Sequence, residues 1–151
     1  MINLKSKNIA FIYAYGRTGS SALHSMLDNH NEILMLPMEL KFYSCIYKSN
    51  SLKKIDEIFN FWTNKTKLTR FKKNILYGGN STEKFTNINF AKFKENFYEL
   101  LNIYGLTRSG IFYAIHHAYA QSLNKNIDEI KIIIEFSADT LNLNQAKEDF
   151  N

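Results

Sequence analysis

The sequence has few residues that could form a disulfide or interrupt a helix or strand. Its 151 residues include one cysteine, one proline and one tryptophan. The single cysteine, Cys45, cannot form a disulfide within the chain, so a reduced, cytoplasmic protein is expected. No apolar run approaches the roughly 20 residues that span a bilayer, and the polar start, residues 1–7, is unlike a signal peptide. We therefore expect no stable membrane insertion.

Positive charge is only weakly in excess. The chain has 19 Lys and Arg against 14 Asp and Glu, a net charge of +5. The lysines are scattered, whereas nucleic-acid-binding proteins usually concentrate them in a patch, so we expect no nucleic-acid partner. Hydrophobic residues make up 45% of the chain. This composition predicts one globular domain with a core that needs neither metal nor disulfide.

The apolar patterns predict an α/β fold. Residues 9–15 (IAFIYAY) and 131–136 (KIIIEF) have the continuous apolar pattern of buried parallel strands. We expect them to be adjacent and parallel, as the first two strands of a sheet with a helical insertion between them. The spacing of apolar residues predicts helices over 38–48, 51–62, 89–104 and 107–123, and a further helix from residue 140.

The first strand leads into a glycine-bracketed turn and then a helix. The turn consists of Gly16, Arg17, Thr18, Gly19, Ser20 and Ser21. Backbone N–H groups at such a turn, together with the positive end of the helix, bind phosphate or sulfate. Arg17 can donate to two anionic oxygens, and the two glycines allow a close backbone approach. The pattern therefore predicts an anion site.

Several histidines fall near the predicted site or in the helices. In the first helix Leu23, Met26 and Leu27 form an apolar stripe, and His24 lies on the opposite side, so we expect it at the surface. His116 and His117 are adjacent and point to different faces of their helix, which disfavours a shared metal. We expect no metal in this protein.

The segment FIYAYGRTGSSALHSMLDNHNEILMLPMEL resembles the 5′-phosphosulfate loop and following helix of the PAPS-dependent sulfotransferases. In that family a strand leads into a Pro-Lys/Arg-Ser-Gly-Thr-Thr loop, and a glutamate follows the next helix. Here residues 16–21 match the loop, with Gly16 in place of proline, and Glu39 matches the glutamate. The stretch IIIEFSADT is similar to the family's second strand, with Phe136 where a lysine is usual.

The resemblance implies a function and a set of site residues. It implies transfer of a sulfuryl group from PAPS to a hydroxyl or amine of an acceptor, for which we expect a saccharide or glycolipid. Arg17 would stabilise the leaving phosphate, and Glu39 would remove the acceptor proton. The resemblance also implies that residues 1–151 are the N-terminal part of the domain, because the family's 3′-phosphate-binding strand is not recognised in this sequence.

Two alternatives stay open at this point. A P-loop kinase or NTPase has the same strand–loop–helix order, but it places a lysine after the second glycine, where this chain has Ser20. The other alternative is a truncated, non-catalytic sulfotransferase fragment.

Overall fold

The computed structural model of the protein describes part of the chain. The described residues are 3–13, 19–27, 30–36, 42, 55–56, 59, 89–137 and 143–150. The predicted helices over 38–48 and 51–62 lie largely outside them, although Phe42, Ile55, Asp56 and Phe59 are helical where they are described.

The described strands form one parallel sheet. Strand β1 spans Asn8–Tyr13, β2 spans Ile33–Met35 and β3 spans Ile132–Ser137, in the order β1-β3-β2. Asn8 and Ile33 are the partners of Ile132 in the two parallel pairings. The predicted adjacent, parallel arrangement of the first and last apolar runs is confirmed, and with it the α/β class.

One detail of the predicted topology is wrong. The runs at 9–15 and 131–136 were expected to be the first two strands, but β2 lies between them in the chain. The later run is therefore the central strand, with a neighbour on each side. This position explains why Ile133, Ile134 and Glu135 are all buried, since a central strand is covered on both faces of the sheet.

Four helices occur among the described residues. Helix α1 spans Ser20–Leu27, α2 Phe90–Tyr104, α3 Arg108–Ser122 and α4 Leu143–Phe150, and a 3-10 turn over Leu4–Ser6 precedes the sheet. The predicted boundaries of α2 and α3 are confirmed, and each boundary has a local cause. The side chains of Asn89 and Thr107 accept hydrogen bonds from the first turns of α2 and α3. Gly105 ends α2 with φ +88°.

Helix α3 is the centre of the core. Residues 110–120 are buried all round the helix. The cause is that α3 contacts α2, α4, β2 and the 3-10 turn. Gly110 allows the close approach to α2, because a Cβ there would lie 2.1 Å from the carbonyl oxygen of Gly105.

Candidate anion-binding site

The junction between β1 and α1 contains a residue whose backbone requires glycine. Gly19 has φ +78° immediately before the first residue of α1, and an added Cβ would meet nothing within 4 Å. The left-handed conformation, rather than crowding, therefore selects glycine at this position. The same observation leaves open space beside the backbone where a ligand group can approach.

The first turn of α1 has the hydrogen-bond pattern of a helix N-terminus. The carbonyl oxygen of Gly19 accepts bonds from the N–H groups of Ala22, at 2.9 Å, and Leu23, at 3.2 Å. The N–H groups of Ser20 and Ser21 precede this ladder and have no acceptor within the helix. They lie at the positive end of the helix, where an anion is favoured. The predicted order of strand, glycine and helix is present: β1 ends before residues 14–18, and Gly19 and α1 follow them.

The predicted site residues divide into two groups. Gly19, Ser20 and Ser21 lie at the start of α1 as described above. The other four, two of them proposed to be catalytic, lie outside the described residues: Gly16, Arg17, Thr18 and Glu39.

The carboxyl ends of the strands bring several segments to one edge of the sheet. Tyr13, the last residue of β1, pairs with Ser137, the last residue of β3, and Met35 at the end of β2 pairs with Ile134. The glycine turn follows the carboxyl end of β1 and the segment with Glu39 follows the carboxyl end of β2; the strands are parallel, and β2 ends level with Ala10, three residues before the end of β1. Ligands of open parallel sheets bind at this edge.

His24 was predicted at the surface, and this prediction is wrong. Its side chain is 2% exposed, and its Nε2 donates a hydrogen bond of 2.9 Å to the carbonyl oxygen of Leu36. Two of the three residues assigned to the apolar stripe are exposed, Leu23 at 43% and Met26 at 81%, and the third, Leu27, is half-buried. The hydrogen bond makes burial of the imidazole favourable, so α1 faces the protein through His24.

A buried histidine of α3, His116, and a buried glutamate of β3, Glu135, face each other. The sequence did not indicate this pair. His116 Nδ1 donates to the carbonyl oxygen of Phe112 at 2.8 Å, and its Nε2 lies 4.0 Å from Glu135 Oε2. Burial lowers the pKa of His116 to about 4, against the smaller opposing effect of the bond to Phe112. The imidazole is therefore neutral near pH 7, with its proton on Nδ1.

His117 makes a separate contact. Its Nδ1 lies 2.8 Å from the hydroxyl of Tyr104 on α2, and that hydroxyl accepts a bond from the N–H of Leu4. Burial lowers the pKa of His117 and raises that of Tyr104. The two adjacent histidines thus face different partners, as expected from their positions on the helix. They belong to the core and not to the edge where the strands end.

Among the described residues, no group of three or more His, Cys, Asp and Glu side chains could hold a metal ion. No helix among these residues has the length and apolar character needed to cross a bilayer. Comparisons with protein-family models, with curated proteins and with solved structures found no match.

Proposed function

We propose that the chain is a PAPS-dependent sulfotransferase domain that moves a sulfuryl group to a hydroxyl or amine of a saccharide or glycolipid acceptor. One observation carries the proposal. A parallel strand leads, across the segment that resembles the phosphosulfate loop, to a left-handed Gly19 and directly into a helix. This is the backbone arrangement that an anion cradle needs.

The described part of the cradle fits a phosphate group. The N–H groups of Ser20 and Ser21 would donate to the 5′-phosphate at the start of α1, and Gly19 leaves the space for its close approach. PAPS would supply the sulfuryl group itself. The buried His24 holds this helix against the residue that follows β2, so the donors are fixed before a ligand binds.

Two side chains would act on the reacting atoms. Arg17 would place its guanidinium on the oxygen that bridges phosphate and sulfate, where negative charge develops as that bond breaks. Glu39 would accept the proton of the acceptor hydroxyl as its oxygen attacks the sulfur. The segment that carries Glu39 follows the carboxyl end of β2, and the glycine turn follows the carboxyl end of β1, in a sheet whose strands are parallel. The common direction of these strands supports placing both residues in one site.

The proposal is tested by release of PAP from PAPS in the presence of saccharide and glycolipid acceptors. We expect Arg17→Ala to reduce transfer by about two to three orders of magnitude, as for single charge-stabilising donors. Glu39→Gln should lose turnover and keep PAP affinity, because it alters only proton removal. A matched control is Glu129→Gln, at an exposed loop position beyond α3. Equal activity of the wild-type and Arg17→Ala proteins would contradict the proposal.

A further inference from the structure

A cleft lies along β1, from the residues that precede the strand to Phe11. It has a volume of about 360 Å³ and is formed by residues from the start of the chain, from β1, from α3 and from α4. The main side chains that line it are Lys5, Lys7, Phe11, Tyr113, Lys147 and Phe150. Its volume is at the lower end of the range for small-molecule sites.

The fold brings three lysines to this cleft from distant parts of the sequence. Lys5 and Lys7 precede β1, and Lys147 lies on α4. Lys7 Nζ donates to the carbonyl oxygen of Asp128 at 3.3 Å, and Lys5 Nζ lies 5.9 Å from the centroid of the Tyr104 ring. No Asp or Glu occurs among the described residues that line the cleft. The lysine charges therefore remain available to an anion.

The two acidic residues that follow Lys147 on α4 both have partners of their own. Glu148 accepts a bond of 3.0 Å from the side-chain amide of Gln145. Asp149 accepts bonds from Arg108 Nε at 2.9 and 3.0 Å, and Arg108 Nη2 lies 2.9 Å from the same carboxylate. Lys147 and Asp149 are two residues apart on the helix and so point to different sides. The ion pair fixes α4 while Lys147 faces the cleft.

The inner part of the cleft is aromatic. The ring of Phe150 lies 5.7 Å from that of Phe11 and 5.8 Å from that of Tyr113, measured between centroids. Phe11 and Phe150 are half-buried, so part of each ring remains accessible. Such rings favour a flat apolar group, which stacks on them or meets them edge to face. The anionic group of a ligand would thus contact the lysines, and its flat apolar group would contact the aromatic rings.

The cleft is distinct from the site proposed for PAPS. The cleft extends along β1 as far as Phe11, two residues before the end of the strand that leads to the glycine turn. Its lysines Lys5 and Lys7 precede the strand, and at about 3.3 Å per residue Lys7 is roughly 20 Å along the chain from Tyr13. A ligand in the cleft would therefore leave the glycine turn accessible.

We propose that this cleft binds a small aromatic phosphate, a phosphate ester attached to a planar ring. The phosphate lies among Lys5, Lys7 and Lys147, and the ring contacts Phe11, Tyr113 and Phe150. The lysines give the attraction for the dianion, and the aromatic rings favour the ester over inorganic phosphate. This site does not depend on the proposed sulfotransferase activity.

The experiment is a calorimetric titration of the protein with 1-naphthyl phosphate, compared with 1-naphthol and inorganic phosphate. We expect saturable binding of the ester at one site and much weaker binding of the other two. Excess PAP should leave the titration unchanged. Displacement of the ester by PAP would place it in the glycine turn and would overturn the proposal.

Two double variants separate a built site from general attraction to a basic protein. Lys5→Gln with Lys147→Gln should weaken binding of the ester about fivefold to tenfold, given the usual strength of exposed charge pairs. Lys92→Gln with Lys94→Gln removes the same charge from α2, away from the cleft, and should leave the affinity within twofold of the wild type. Equal weakening by both pairs, or no saturable binding to the wild type, would refute the site.

Discussion

The Nε2 atom of His24 lies 2.9 Å from the carbonyl oxygen of Leu36, and this bond joins helix α1 to the residue that follows strand β2. His24 and Leu36 belong to the two segments that carry the residues of the proposed site. One segment begins with Gly19 and the N-terminus of α1, and the other continues towards Glu39. A buried polar contact of this kind restricts how the segments can shift relative to each other.

We expect His24→Ala to cost about 1–3 kcal/mol of stability, because it leaves a buried carbonyl oxygen without its donor. It should also weaken PAP binding, because the start of α1 is no longer held in place. Urea unfolding and PAP titration measure the two effects. The control is His30→Ala, which removes an exposed histidine. If His24→Ala keeps wild-type affinity for PAP, then His24 has a purely structural role.

Substitution of Gly19 by alanine tests the backbone of the cradle. Gly19→Ala forces a residue with a Cβ into φ +78°, and we expect a stability loss of about 1–2 kcal/mol together with loss of PAP binding. Gly105→Ala is the matched control, since Gly105 also has a positive φ, +88°, with nothing within 4 Å of an added Cβ.

The two glycine variants should lose similar stability but differ in their affinity for PAP. Gly105→Ala is expected to lose stability but to bind PAP like the wild type at a temperature where both are folded. Thermal unfolding and calorimetry on the same samples make the comparison. Full PAP affinity in Gly19→Ala would mean that this residue does not line the phosphate site.

His116 should make folding stability depend on pH. Burial lowers its pKa from 6.5 to about 4, so below pH 6.5 the unfolded chain binds a proton that the folded chain does not. The contribution of His116 to the free energy of unfolding is therefore complete above pH 6.5. It is lost as the pH falls towards 4, by up to about 3 kcal/mol. Among the described residues, Glu135 is the titratable group that faces the ring, with its Oε2 4.0 Å from Nε2.

The variant His116→Leu should flatten this part of the profile because it removes the titrating group. The measurement is the free energy of unfolding in urea at several pH values between 4 and 7.5. Ser122→Ala, on the same helix, removes no titratable group; it serves as the control and should keep the wild-type slope. An unchanged slope in His116→Leu would show that other groups cause the acid sensitivity.

Gly110 should be the least replaceable glycine of the α2–α3 corner. An added Cβ would lie 2.1 Å from the carbonyl oxygen of Gly105 and 2.8 Å from that of Tyr104. Because both neighbours are backbone atoms, Gly110→Ala must move α3 relative to α2, and we expect a loss of more than about 2 kcal/mol. Ser109→Ala, at the preceding position, should change thermal stability little. Similar melting temperatures for the two variants would contradict this packing.

The elements that the sequence predicted well have strong local signals. Helices α2 and α3 have regular apolar spacing, side-chain caps at Asn89 and Thr107, and a glycine stop at Gly105. Strands β1 and β3 are long apolar runs, and their parallel pairing follows from the helices between them. Gly19 was predictable as well, since a glycine before a helix indicates an unusual backbone.

Other features depend on contacts between distant segments. Strand β2 has three residues, too few to show a period, so the central position of β3 could not be derived. His24 is buried because a carbonyl group lies opposite it, and helical spacing alone placed it on the polar side. The pairing of His116 with Glu135, and the meeting of Lys147 with Lys5 and Lys7, require the tertiary fold.

The most direct test of the proposed function is a calorimetric titration of the protein with PAP, run beside ATP with magnesium. The sulfotransferase proposal predicts saturable binding of PAP that is lost in Gly19→Ala, and no preference for ATP with magnesium. The kinase alternative predicts the reverse preference. Binding of ATP with magnesium in the absence of any PAP binding would contradict the proposal and favour a nucleotide kinase or NTPase.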